Sequence, residues 1–194
     1  MDSGRTALRP RERIVSTARG LFHKRGIRAV GIDTIVEVAG TNKTTLYRHF
    51  TSKDDLIMEC LRSRAEEARQ SWAEIEASSP EDGLAQLRFW VARVANRLVH
   101  DCRGCEFTNA AVELTEENHP ARKFIGDFKT EYRDWLAKLC RKAGIARAEL
   151  LANTLSILLE GVRTNRQSVG SEGPSSQFQT MADSIIESFR RIEG

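Results

Sequence analysis

Proline and cysteine are scarce in this 194-residue chain, with four of each. No stretch approaches the roughly 20 apolar residues that a membrane span requires. Cys60, Cys102, Cys105 and Cys140 are too few to scaffold a fold of this size with disulfides, and a reducing compartment would keep them as thiols. The first thirteen residues, MDSGRTALRPRER, are basic but lack the apolar core of a secretory signal, so the cytosol is the expected compartment. No segment alternates as a half-buried strand does, and no internal repeat or low-complexity tract is present. No Gly-rich loop follows a strand pattern, and no Ser, His and Asp set stands in a recognisable catalytic context. Glu113, Glu116 and Glu117 read more simply as a solvated helix face than as an acid/base pair. The chain is therefore not expected to be an enzyme or to carry a cofactor or metal.

What is present is helical patterning. Hydrophobic residues make up 40% of the chain and charged residues 29%, which suits a soluble, largely helical protein. Ile14, Ala18, Leu21 and Phe22 recur at i, i+4, i+7 and i+8 and predict a helix over 11–25 that stops at Gly26. Ile32 to Ala39 form a second helix ended by Gly40, and Asn42 caps a short third one. Ser52 and Asp55, at capping-box spacing, open a long fourth helix running to about Ala77. Ser79 as cap and Pro80 at the first helical position start the fifth. Further apolar stripes place helices at Phe107 to Leu114, Phe124 to Leu139, Leu151 to Val162 and Met181 to Ile192, with Gly170 to Ser176 as a flexible loop. The last two are apolar over broad arcs, for which a subunit partner is the natural cover.

Charge is uneven. Residues 1–53 hold eleven Lys or Arg against four Asp or Glu, while the remainder holds nineteen against twenty-three. The basic excess accompanies IDTIVEVAGTNKTTLYRHF at 32–50, which reads as a helix, a Gly-containing turn and a second helix. Such a pair can place its second helix in the DNA major groove, and a basic surface attracts phosphates whatever the base sequence. Double-stranded DNA is the leading partner.

Together with the first helix, the stretch GIRAVGIDTIVEVAGTNKTTLYRHFTSKDDL and the all-helical remainder resemble the tetracycline-repressor (TetR) family of bacterial regulators. GCEFTNAAVEL at 104–114 is similar to a sixth-helix pattern in part of that family. The resemblance implies an all-α fold of about nine helices. An N-terminal three-helix DNA-binding domain (1–52) would precede a helical effector-binding and dimerisation domain (53–194), with a homodimer through the eighth and ninth helices. It puts Asn42, Lys43, Thr44 and Thr45 nearest the base edges and matches Tyr47, His49 and Lys53 to phosphate contacts. The chemistry agrees, since Lys can donate to guanine O6 or N7, and a Thr hydroxyl can donate or accept. Leu46 and Phe50, four apart, belong to the core, and Arg5, Arg9, Arg11 and Arg28 could add phosphate contacts. Gly31 stands where the family often has Thr or Ser, which leaves phosphate contact near the second helix to backbone amides or Thr34; Thr41 replaces a commonly apolar turn residue.

Elsewhere, Trp90, Phe107, Asn109, Glu113, Phe128, Tyr132 and Trp135 mix aromatic surface with a few polar groups, as a small-molecule pocket does, with Asn109 and Glu113 as its polar anchors. Core packing is the alternative for each aromatic. His100, Cys102 and Cys105 in HDCRGC could be structural, a redox pair or, with a fourth ligand from His119 or Cys140, a zinc site. Cys105 is the better sensor candidate, because some relatives with Gly-Cys at this helix start respond to electrophiles. The chain thus reads as a ligand-responsive repressor, with an effector-independent architectural DNA binder as the alternative.

Overall fold

The computed structural model describes Leu8–Arg191; Arg5 and Ile192 lie outside the described residues. Among the described residues the fold is nine α-helices without a strand: α1 (Pro10–Arg25), α2 (Ile32–Val38), α3 (Lys43–His49), α4 (Lys53–Ser78), α5 (Gly83–His100), α6 (Glu106–Glu113), α7 (Pro120–Lys142), α8 (Ala148–Val169) and α9 (Phe178–Arg191). The all-α class matches the sequence expectation. Two compact units share the chain: residues 8–65 join Glu106–Lys123, and residues 66–105 join 124–191. α4 gives its first half to one unit and its second half to the other, and α6 belongs with α1 to α3.

In the first unit α1 packs on α2 and α3, and the side chains of Ile14, Ala18, Ile35, Leu46, Phe50, Leu56 and Ile57 fill the centre with at most 2% of their surface exposed. Truncating one of them, as in Leu46→Ala, would cost about 2–5 kcal/mol. The turn between α2 and α3 is built as its residues dictate. Gly40 adopts φ +59, where a side chain is disfavoured, and Thr41 N–H returns to Val36 O at 2.9 Å. Asn42 Oδ1 accepts Thr45 N–H at 2.8 Å and caps α3, as its type predicts. At the start of α4, Ser52 Oγ accepts Asp55 N–H at 3.0 Å, but the Asp55 carboxylate reaches back to Thr51 N–H rather than to Ser52. The box is therefore stretched by one residue.

The second unit packs α8 and α5 on α9. Leu87, Leu136, Leu151, Leu155, Phe178 and Ile186 are buried, and Trp90 meets Phe178 edge-on at 6.3 Å. Two sequence expectations fail here. α5 starts at Gly83, not Pro80: Asp82 Oδ1 caps Ala85 N–H at 2.9 Å, and the Gln86 amide occupies Ser79 O at 2.8 Å and Glu76 O at 2.6 Å. Gly83 is required because a Cβ there would lie 2.3 Å from the Lys142 carbonyl carbon. The segment from Gly170 to Ser176 is not a featureless loop, since Pro174–Gln177 form a 3-10 turn with Ser175 buried.

Candidate functional site

The two faces of α3 are chemically distinct. Leu46 is wholly buried, while Asn42, Lys43, Thr44, Tyr47 and His49 are exposed or partly so and Thr45 is half-buried. The residues expected to meet DNA therefore share an open surface, held in orientation by the buried Leu46 and Phe50. The Lys43 ammonium lies 2.7 Å from Asp33 Oδ1 on α2, an ion pair that the sequence reading missed. Its hydrogen bond and attraction hold Lys43 above the ordinary lysine value. Lys53 is half-buried, and its ammonium donates to Ile27 O at 2.6 Å; burial lowers its pKa. Thr34 is half-buried on α2. Gly31 provides the N-terminal cap position of α2 without a side-chain bond, as expected.

Three of the arginines considered for phosphate contact also have structural roles, or have neighbours that do. Arg11 binds Glu59 at 2.9 Å and lies over the Phe50 ring. Arg28 Nη2 donates to Thr115 Oγ1 at 3.0 Å, and the Arg9 amide donates to Glu12. The neighbouring Arg13 Nε donates to Ala39 O at 2.8 Å, satisfying the carboxyl end of α2.

α6 is tied to this same unit at both ends. Glu106 pairs with Arg19 at 3.0 Å and Arg64 at 3.3 Å. Glu113 accepts the Arg28 backbone N–H at 2.9 Å. Phe107 is buried, and Asn109 joins Phe22, His23, Ile57 and Glu113 around a small cleft of about 30 Å³. Of the expected pocket residues, Phe107, Asn109 and Glu113 thus stand in the first unit.

The others stand in the second unit. Trp72, which the sequence reading did not single out, stacks on Phe128 (5.7 Å, 19°) and Trp135 (5.2 Å, 14°), with Tyr132 5.7 Å away. The Trp135 indole donates to Glu76 at 2.7 Å, and Trp90 is buried. The Tyr132 hydroxyl is buried, and burial raises its pKa. Cys105 is also buried: Lys129 Nζ donates to its sulfur at 3.4 Å and to Glu160 Oε1 at 2.6 Å, and Arg163 Nη1 is 3.3 Å from the same carboxylate oxygen.

The cysteines differ in kind. Burial pushes the Cys60 and Cys140 thiols up to about 12, so neither is a reactive thiolate at neutral pH, and Cys102 is exposed. His119 lies in the first unit, its Nδ1 accepting Ala121 N–H and its Nε2 3.7 Å from Asp54. Among the described residues no three His, Cys, Asp or Glu side chains are placed to hold a metal.

A buried apolar helix face opposite an exposed polar one, joined to a preceding helix through a glycine turn, defines a helix-turn-helix DNA-binding unit. Residues 14–60 match the family described as bacterial regulatory proteins, tetR family. The chain is 29% identical over 121 residues to the HTH-type transcriptional regulator TtgR of Pseudomonas putida, covering 57% of this chain and 58% of that one. It is 35% identical over 140 residues to the HTH-type transcriptional repressor KstR2 of Rhodococcus jostii, covering 70% and 65%. The chain thus spans less than two thirds of the length of either relative. The crystal structure of a TetR-family transcriptional regulator from Streptomyces coelicolor superposes with a TM-score of 0.86 at 27% identity, over 93% of this chain and 95% of that one. The chain belongs to the TetR family, and these relatives carry the names of regulators rather than of enzymes.

Proposed function

We propose that the chain is a ligand-responsive transcriptional repressor that works in the cytoplasm as a homodimer and leaves a palindromic operator when it binds a small-molecule effector. The observation that carries this reading is the split of α3 into a buried Leu46 face and an exposed face bearing Asn42, Lys43, Thr44 and Tyr47.

On DNA, Lys43 and Thr44 reach base edges with Asn42 and Thr45 beside them. Tyr47, His49, Lys53 and Thr34 donate to phosphates. Lys43 exchanges its Asp33 partner for a guanine acceptor, so its gain is the difference between two charge-assisted bonds. The dimer forms through α8 and α9. Ile157 is 74% exposed on α8, Gly161 on the same helix has open space around it, and Leu150 and Val169 are also exposed. A second copy would remove this apolar surface from water.

The effector occupies the second unit near Trp90, Cys105, Phe128, Tyr132 and Trp135. Two covalent routes lead from there to the DNA-binding unit. α4 runs through both units, and Cys105 is joined by one peptide bond to α6, whose Glu106 and Glu113 hold α1 and the turn after it. Phe107, Asn109 and Glu113 then transmit binding rather than contact the effector. A coupling of about 1–3 kcal/mol changes operator affinity roughly 5- to 150-fold.

The contact between Lys129 and Cys105 favours a second reading, in which an electrophile alkylates that sulfur and releases DNA, because a neighbouring ammonium stabilises thiolate. A Cys105→Ser protein that stays equally inducible by the electrophile contradicts it. The main reading is tested by selecting genomic fragments with the purified protein near about 150 mM salt and footprinting them. A short inverted repeat beside a promoter supports the repressor. Salt-sensitive binding without an enriched sequence supports an architectural DNA binder instead.

A further inference from the structure

We propose that Asp33, on α2, is a specificity-determining residue: its carboxylate accepts a hydrogen bond from the cytosine N4 amino group of the same G·C pair whose guanine Lys43 contacts, so that two helices read one base pair. This rests on the reading of α3 as the helix that enters the major groove, and it adds the base pair and its second reader.

The first support is proximity. The Asp33 carboxylate lies 2.7 Å from the Lys43 ammonium, on side chains that are 80% and 56% exposed. The two helices that carry them are fixed to each other. Ile35 of α2 and Leu46 of α3 are wholly buried, Thr41 N–H returns to Val36 O across the turn at 2.9 Å, and Arg13 ties Ala39 O to α1 at 2.8 Å. Wherever α3 brings Lys43 to a base edge, α2 therefore brings Asp33 to the same place.

The second support is what a carboxylate can meet in the groove. Phosphates repel it, and the base donors there are the amino groups of cytosine and adenine. Once Lys43 turns to a base, Asp33 gives up its cation, and a carboxylate held against DNA without a donor is costly. Guanine O6 and cytosine N4 are joined by a Watson–Crick N–H···O bond of about 2.9 Å. The 2.7 Å between ammonium and carboxylate matches that spacing. The N4 amino group keeps a second hydrogen directed into the groove, and O6 a second lone pair, so the two side chains lie edge to edge on the pair: ammonium on O6 and N7, carboxylate on N4. An A·T pair fits less well, because its N6 donor sits between the acceptors N7 and O4 and leaves the ammonium one of them. An ion pair with no part in reading makes a different prediction. Its removal would delete a negative charge near phosphates and raise affinity for every duplex alike.

The test is competition binding of the full-length protein, wild type and Asp33→Ala, to duplexes that vary each position of the selected inverted repeat. The preferred duplex is then remade with N4-methylcytosine at each cytosine in turn, a base that still pairs with guanine but presents a methyl where the free amino hydrogen was. The expected result is a wild-type preference for G·C at one position of each half-site, by about fivefold or more, and a loss of similar size when that cytosine is methylated. Asp33→Ala should lose both the preference and the sensitivity to methylation while binding a scrambled duplex at least as tightly as wild type. If Asp33→Ala loses helicity, Asp33→Ser, a residue suited to the first turn of a helix, carries the same expectation. A folded variant with wild-type preference at every position, or equal effects of methylation on wild type and variant, would overturn the proposal and leave the placement of α3 intact. A wild type without base preference at any position would overturn the proposal together with that placement.

Discussion

The carboxylate of Glu113, at the end of α6, accepts a hydrogen bond from the backbone amide of Arg28 at 2.9 Å, across 85 residues of sequence. The same two oxygens lie 3.1 Å from where a Cβ would project from Gly26, which ends α1 at φ +87. Glycine is thus required twice at position 26, for its backbone and for its neighbour. Gly26→Ala should lower stability by about 1–3 kcal/mol, read as a fall in thermal denaturation midpoint. Glu113→Gln, which keeps an acceptor oxygen, should cost less; a larger loss in Glu113→Gln would contradict this account.

Gly31 caps α2 in extended geometry (φ −86, ψ 164), and a Cβ there would meet nothing within 4 Å. Gly31→Ser should therefore gain a few tenths of a kcal/mol of stability. It should also tighten DNA binding by offering a hydroxyl to phosphate. Denaturant unfolding and a DNA titration read the two effects separately.

Lys43 and Tyr47 should fail differently. Lys43→Ala should relax preference at one base pair, with a loss of about 1–3 kcal/mol for the favoured base only. Tyr47→Phe should weaken all sequences alike. Competition binding across an operator library distinguishes them, and unchanged affinity in both variants would refute the placement of α3 in the groove.

On α8, Ile157→Asp would put a charge on the proposed subunit contact while leaving the core of the second unit intact, because that side chain is 74% exposed. Sedimentation should show a monomer with wild-type helicity and much weaker operator binding. A dimer of unchanged affinity would move the interface elsewhere.

Arg69 holds the Glu131 carboxyl below its ordinary value, chiefly through the hydrogen bond between them, 2.7 Å from Nε to Oε1. A depressed carboxyl contributes stability that is present above the unfolded value, about 4.3, and is lost as pH falls through the folded one. Both side chains are 41% exposed, so solvent screening keeps the contribution below about 1 kcal/mol. Glu131→Gln should accordingly be slightly less stable at neutral pH and converge with wild type in acid, as measured by unfolding at a series of pH values.

Local chemistry was legible in the sequence wherever it was sufficient. Asn42 caps α3, Gly40 makes the turn, Leu46 and Phe50 are core, and apolar spacing located the helices. The start of α5 was misplaced because Pro80 and Ser79 carry a valid local signal that loses to a tertiary one, the contact of Gly83 with the Lys142 backbone. The grouping of α6 was hidden for the same reason. Glu106 and Glu113 look like ordinary surface acids until Arg19 and Arg28 are brought to them from more than eighty residues away. The Lys129, Glu160 and Arg163 cluster likewise spans two helices that no short motif connects.

The central claim, sequence-specific DNA recognition by α3, is tested most directly by titrating the purified protein against its selected inverted repeat and against a scrambled duplex of equal composition over a range of salt. The account predicts a preference for the repeat of about a thousandfold or more, with both affinities falling as salt rises. Equal affinity for the two duplexes at every salt concentration would contradict it.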